Sequence, residues 1–270
     1  MSGRPRPAAN RGGASDPARH GVDRGGASAS ARPGAARGDP RTPARLGVPR
    51  LHLRSTDSTN DRARAVAMAG APHGTLVTAA EQLAGRGRQG RAWTAPAGRA
   101  LLASLVLREI PPLLALTSAL AVADVVGAHA CIKWPNDVLV DGRKVAGILA
   151  EGRPQEGWAV LGVGVNVAVR SEDLPPSLAE SAGGLGLDRA AIEPFLASML
   201  AALQRRLAEE PAATLGAYRA RDVLRGNVVR WQHGTGVAAG IDEVGRLLVA
   251  LADGGIVALD AGEVHLAAAP

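Results

Sequence analysis

The sequence predicts an α+β fold followed by a small β-barrel. Three observations carry the prediction. Between residues 51 and 222, short runs rich in Val, Ile and Leu alternate with longer helical stretches. From about residue 226 the character changes to five short strand-like pieces, NVVRWQ, GTGVAAGID, GRLLVALAD, GIVALD and EVHLAA, separated by Gly and Asp turns. A hydrophobic content of 46% in 270 residues is enough for a substantial core.

Order begins near Leu51, where LHLRS reads as a short strand. STNDRARAVAMAG reads as a helix with Ser58 or Thr59 at its N-cap, Asp61 against the positive end of the helix dipole and Gly70 as its stop. GTLVTAAEQ is a second strand, and a Gly/Arg loop follows from Ala84 to Arg91. ALLASLVLR is a third strand, after which Pro111 and Pro112 introduce an apolar helix from Leu113 to about Ala128. ACIKW is a strand. In VLVDGRKVAGILAE, Asp141-Gly142 between aliphatic runs is the strongest short hairpin signal available. WAVLGVGVNVAV is a further strand with small residues on alternate positions, and helices are expected around Ala190 to Glu210 and Ala212 to Asp222.

The formal charge of +6 belongs to one end of the chain. Residues 1–50 hold ten arginines against Asp16, Asp23 and Asp39, whereas the remainder is nearly balanced. A folded nucleic-acid-binding face would carry its own positive excess, so nucleic acid is an unlikely partner. Residues 1–48 are Gly, Pro, Ala, Ser and Arg with almost no large apolar side chain, and are expected to be a disordered tail. The single cysteine, Cys131, excludes an internal disulfide framework and is expected to pack in the core. No apolar run is long enough to span a membrane and no secretory signal is recognisable, which places the chain in the cytoplasm.

Of 31 basic residues only two are lysine, Lys133 and Lys144, and both fall in IKWPNDVLVDGRK. Lys133 alternates with Ile132 and Trp134, so it points to the opposite face of its strand, where a buried ammonium requires an anion. Lys144 reads equally well as a solvated hairpin lysine. In AGRGRQGR, three glycines let the backbone curve around a ligand while Arg86, Arg88 and Arg91 offer forked donors for phosphate or carboxylate. It is no P-loop, because the Gly-Lys-Ser/Thr ending is missing. STDSTN places hydroxyls and an amide at a helix N-terminus, either as a plain cap or as donors and acceptors for a small polar ring. The histidines form no metal-ligand spacing.

Together, DSTN, EQLAGRGRQGRAW, KWPNDVLVDGRKVAGIL and VGVGVN resemble the biotin protein ligases, the biotin-[acetyl-CoA-carboxylase] ligases. The resemblance covers roughly residues 51 to 170 and extends to the C-terminal β segment. It implies a catalytic domain similar to class II aminoacyl-tRNA synthetases over residues 49–223, then an SH3-like barrel over 224–270. It also implies that ATP activates biotin as biotinoyl-5′-AMP, which is passed to a lysine of a biotin carboxyl carrier domain.

By matching position, Ser58, Thr59, Asn60 and Gln82 would contact biotin, with Arg86, Gly87 and Arg88 closing over it. Lys133 and Arg88 would be catalytic, Lys133 also meeting the biotin carboxylate. Arg91, Trp93, Asn136, Asp137, Lys144, Gly147 and Asn166 would line the ATP and adenylate region. Mg²⁺ is implied with ATP, its ligands unknown. A monomer or a homodimer would both be compatible. The chain departs from bifunctional relatives in having a Pro/Gly/Arg tail instead of a helix-turn-helix, which implies a single-function ligase. The stretch after Asn166, VAVRSEDLPPSLAES, offers no aromatic residue for adenine. Two rivals remain at this level: a lipoate ligase or octanoyl transferase of the same catalytic fold, and a nucleic-acid-binding module using the arginine tail.

Overall fold

The computed structural model describes residues 45–260, 262 and 264–266. The tail expected over residues 1–48 therefore lies, up to residue 44, outside the described residues.

Seven strands form one sheet in the order β1-β2-β3-β7-β6-β5-β4. Strand β1 (Arg50–Leu53) runs parallel to β2 (Leu76–Ala79), and the crossover such a pair requires is supplied by helix α1 (Thr59–Met68). All other neighbours are antiparallel: β3 (Leu101–Leu107), β4 (Cys131–Lys133), β5 (Asp137–Val140), β6 (Arg143–Arg153) and β7 (Trp158–Val165). The β5–β6 connection is the two-residue turn that Asp141-Gly142 predicted. Both residues take positive φ, 50° and 73°, as a type I′ hairpin requires.

Alternation along the strands sorts the sheet's two faces. Leu101, Ala103, Leu105 and Leu107 of β3, with Leu161, Val163 and Val165 of β7, join the main core beneath α2 (Leu114–Val126) and α3 (Ile192–Leu207). Helix α2 is apolar around most of its circumference because it is covered on nearly every side, by β4, β5, β6, α3 and α4 (Pro211–Arg219). On the opposite face Val106 and Val160 pack against Ala63 and Ala67 of α1. Helix α1 covers only part of that face. Where it begins, Ser104 and Gly162 lie against its first turn, and Gly162 and Gly164 line a cavity.

Two arginines close helix ends. Arg108 donates to the carbonyls of Ala67 and Ala71 at the end of α1, and Arg221 to those of Ala123 and Gly127 at the end of α2. Two local expectations are corrected. Helix α2 starts at Leu114, because Leu113 adopts φ 60° and cannot join the helix. Cys131 is half-buried on the edge strand instead of packed in the core, since its face of β4 is the one shared with Lys133.

The last five strands, β8 (Val228–Trp231), β9 (Gly234–Ile241), β10 (Leu247–Ala250), β11 (Ile256–Leu259) and β12 (His265–Leu266), form a separate antiparallel sheet of the SH3-like kind. It is fastened to the first sheet: the buried Trp134 indole Nε1 donates to Gly245 O at 2.9 Å.

Candidate active site

The predicted site residues, scattered from Ser58 to Asn166, all line one cavity of about 500 Å³. Its cations are Arg86, Arg88, Arg91, Lys133 and Lys144; its one carboxylate is Asp137. Such a lining selects anions.

At one end the start of α1 is built into the floor. Ser58 is the N-cap, yet its side chain makes no capping bond, and the Thr59 N–H instead donates to Gln82 Oε1 at 2.7 Å. Thr59 Oγ1 lies 2.9 Å from the same oxygen. Ser104 Oγ, from β3, stands 2.8 Å from Thr59 Oγ1 and 2.6 Å from Asn60 Oδ1. Ser58, Thr59, Asn60 and Ser104 are all buried, which keeps these directions fixed. Gly162 admits Asn60: a side chain there would occupy the space of the Asn60 amide.

The Gly/Arg loop folds back on itself. Gly87 N–H donates to Arg91 O at 2.7 Å and Trp93 N–H to Gly85 O at 2.9 Å, with left-handed Gln89 and Gly90 at the tip. Gly85, Gly87 and Gly90 spell Gly-x-Gly-x-x-Gly, but no α-helix opens after them, so this is not a dinucleotide turn. Arg86 reaches back to Asp61 at 2.6 Å and to Glu151 at 3.4 Å. Arg88 turns inward and donates to Asn136 Oδ1 at 3.2 Å. Burial pulls its guanidinium below the usual arginine value; Asp137 partly offsets this and Arg91 adds to it.

At the other end, Lys133 projects into the lining from β4 while Ile132 and Trp134, its neighbours, are buried on the far side. Asn136 is held by a bond from Nδ2 to Ile148 O. The Trp93 ring lies against the sheet at Gly164, where a Cβ would stand 2.6 Å from it. Trp93 Nε1 and Asn166 Oδ1 are buried polar atoms that make no hydrogen bond among the described residues. Sequence reasoning missed Ser104 and Glu151, which touch the site through other side chains, and His265 and Leu266, which line the cavity from β12. The alternating small residues of WAVLGVGVNVAV were the available signal for Gly162 and Gly164.

Residues 52–167 match the Biotin/lipoate A/B protein ligase family, and residues 232–266 match the biotin protein ligase C-terminal domain. A biotin–[acetyl-CoA-carboxylase] ligase of Mycobacterium tuberculosis is 38% identical over 234 residues, covering 78% of this chain and 86% of that protein. The chain belongs to the biotin protein ligase family. A second member, the bifunctional ligase/repressor BirA of Bacillus spizizenii, is 34% identical over 223 residues, 73% of this chain and 68% of its own length. The expectation of a single-function ligase rests on residues that lie largely outside the described ones. Among solved ligases, the biotin protein ligase from Aquifex aeolicus in complex with biotin and ATP superimposes with a TM-score of 0.70 at 26% identity, covering 81% of this chain and 99% of that one.

Proposed function

We propose that the cavity binds biotin at its α1 end and ATP toward Asn166 and the β5–β6 hairpin, and joins them. A biotin carboxylate oxygen attacks the α-phosphorus, and pyrophosphate leaves. The amine of a lysine on a biotin carboxyl carrier domain then attacks the acyl carbon of biotinoyl-5′-AMP, and AMP leaves. What supports this reading best is the convergence on one cavity of a polar floor for a small ring and a cluster of five cations for a carboxylate beside phosphates.

In this reading Ser58, Thr59, Asn60 and Gln82 meet the biotin ring. Arg86 and Gly87 carry the loop that excludes water from the mixed anhydride. Lys133 and Arg88 neutralise the carboxylate and the α-phosphate as charge develops on their oxygens. Arg91, Asn136, Asp137, Lys144, Gly147 and Asn166 surround the nucleotide. Trp93 supplies the aromatic surface for adenine that residues 167–181 lack. The catalytic unit is taken as residues 49–223 and the SH3-like unit as 224–270.

The residues present do not fit a protein-held metal. Asp137 is the one carboxylate of the lining and is paired with Lys144, and among the described residues no group of three or more His, Cys, Asp or Glu could hold an ion.

The test mixes purified protein with ATP, an apo carrier domain and either labelled biotin or labelled lipoate. Label from biotin on the carrier lysine, with one pyrophosphate released per transfer, is expected. Label from lipoate alone would overturn the reading.

A further inference from the structure

Glu151 of β6 is absent from the cavity wall, yet its carboxylate ties together two parts of it. Glu151 Oε2 accepts from Asn60 Nδ2 at 2.8 Å, and Oε1 accepts from Arg64 Nη2 at 2.8 Å. Arg86, from the loop, lies 3.4 Å from Oε2 and completes its anchorage on Asp61. The loop and the start of α1 therefore share one carboxylate.

An ionised carboxylate can only accept, and this fixes the direction of every bond behind it. Asn60 must turn its Nδ2 toward Glu151, where it also approaches Leu149 O at 3.3 Å, so its Oδ1 faces Ser104. The one hydroxyl hydrogen of Ser104 is then committed to Asn60 across 2.6 Å. Thr59 can receive nothing from Ser104. Its own hydrogen goes to Gln82 Oε1 at 2.9 Å, with Ser104 Oγ as a second acceptor at 2.8 Å. The cavity consequently meets Thr59 Oγ1 as an acceptor.

We propose that Glu151 is a positioning residue that sets the hydrogen-bond polarity of the ring-binding floor and, through Arg86, holds the loop over it. The inference rests on the reading that this cavity takes biotin, whose cyclic urea presents the N–H donors that an acceptor at Thr59 matches.

The test compares Glu151→Gln with the parent chain. An amide can offer its NH₂ to Asn60, so Asn60 is free to flip and the floor loses its single polarity. Biotin affinity by calorimetry should fall about tenfold, the scale of one misdirected buried hydrogen bond, while KM for ATP stays within about twofold. More biotinoyl-5′-AMP should escape into solution before transfer, because the loop loses a tie. A purely structural role would not move that escaped fraction. Two further variants separate the halves of the idea: Ser104→Ala should weaken biotin without adenylate escape, and Asp61→Asn should increase escape with little change in biotin affinity. They also serve if Glu151→Gln does not fold. Parental biotin affinity and parental adenylate retention in Glu151→Gln would overturn the proposal, as would parental biotin affinity in Ser104→Ala. A parent chain that takes no biotin would instead defeat the functional reading beneath it.

Discussion

Lys144 Nζ stands 2.6 Å from Asp137 Oδ1, across the β5–β6 hairpin. The same ammonium lies 5.7 Å from the centroid of the Trp93 ring, a cation–π distance. Gly147 makes room for both, since a Cβ there would come within 3.1 Å of Lys144 Cε and Trp93 Cζ3. A compact ammonium fits this gap, and a planar guanidinium is a poor substitute. In the proposed site the second lysine therefore belongs to the nucleotide end. Lys144→Gln should raise KM for ATP about tenfold, equivalent to ~1.4 kcal/mol, and leave biotin binding within about twofold. Calorimetry with each substrate separately checks it.

Lys133 is a stricter case. Lys133→Ala and Lys133→Arg should both reduce adenylate synthesis by at least about a hundredfold, because a flat fork cannot replace a point charge in a filled pocket. Pyrophosphate release near the parental rate in Lys133→Arg would remove Lys133 from the chemistry.

Gly164→Ala probes the aromatic wall. The added methyl would stand 2.6 Å from Trp93 Cε2 and 2.8 Å from Cζ2, so the ring must move away from the sheet. If Trp93 holds adenine as proposed, ATP affinity should fall by about tenfold or more, since a shift of about 1 Å in the ring misplaces the nucleotide. Tryptophan fluorescence should register the moved ring even without substrate. Parental ATP affinity together with a parental spectrum would mean that the ring does not pack as described.

Away from the cavity, Asp222 gives a pH prediction. Burial raises its carboxyl above the ordinary aspartate value, opposed in part by the N–H groups of Leu224 and Arg225 and by the Arg225 charge. A carboxyl with its folded value above its unfolded value favours the native state only when protonated. Stability should therefore decline as pH rises from the unfolded value through the folded one, and the full cost persists at neutral pH. Asp222→Asn should raise the melting temperature at pH 7 by more than it does at pH 3. An equal shift at both values would show that the charge is not the cause.

Much of the fold was legible because local signals agreed with the tertiary arrangement. The Asp141-Gly142 turn, the small residues on alternate positions of β7 and the start and stop of α1 each state their structure within a few residues. The cavity was legible for a different reason: three motifs carried residues too polar or too small for the elements that hold them. What could not be read was anything created by register. Glu151 is, in sequence, a carboxylate near the end of a strand, and Ser104 a small residue inside one. Only the pairing of β3 with β7 and of β7 with β6 brings them to Asn60. Leu113 was misread because the prolines before it signal a helix start but do not reveal the left-handed residue that intervenes.

The hydrogen bond from Trp134 to Gly245 also bears on how such chains can be recombined. Its donor follows directly on the strand that carries Lys133, and its acceptor sits in a turn of the other sheet, on a glycine whose Cβ would strike Leu113 Cδ2 at 2.8 Å. Exchanging the SH3-like segment for that of a relative would keep the ligase only if the graft brings a carbonyl to the same indole and a turn equally slim. A catalytic unit cut free of its neighbour would leave that N–H without its acceptor. The two halves are best transplanted as a pair.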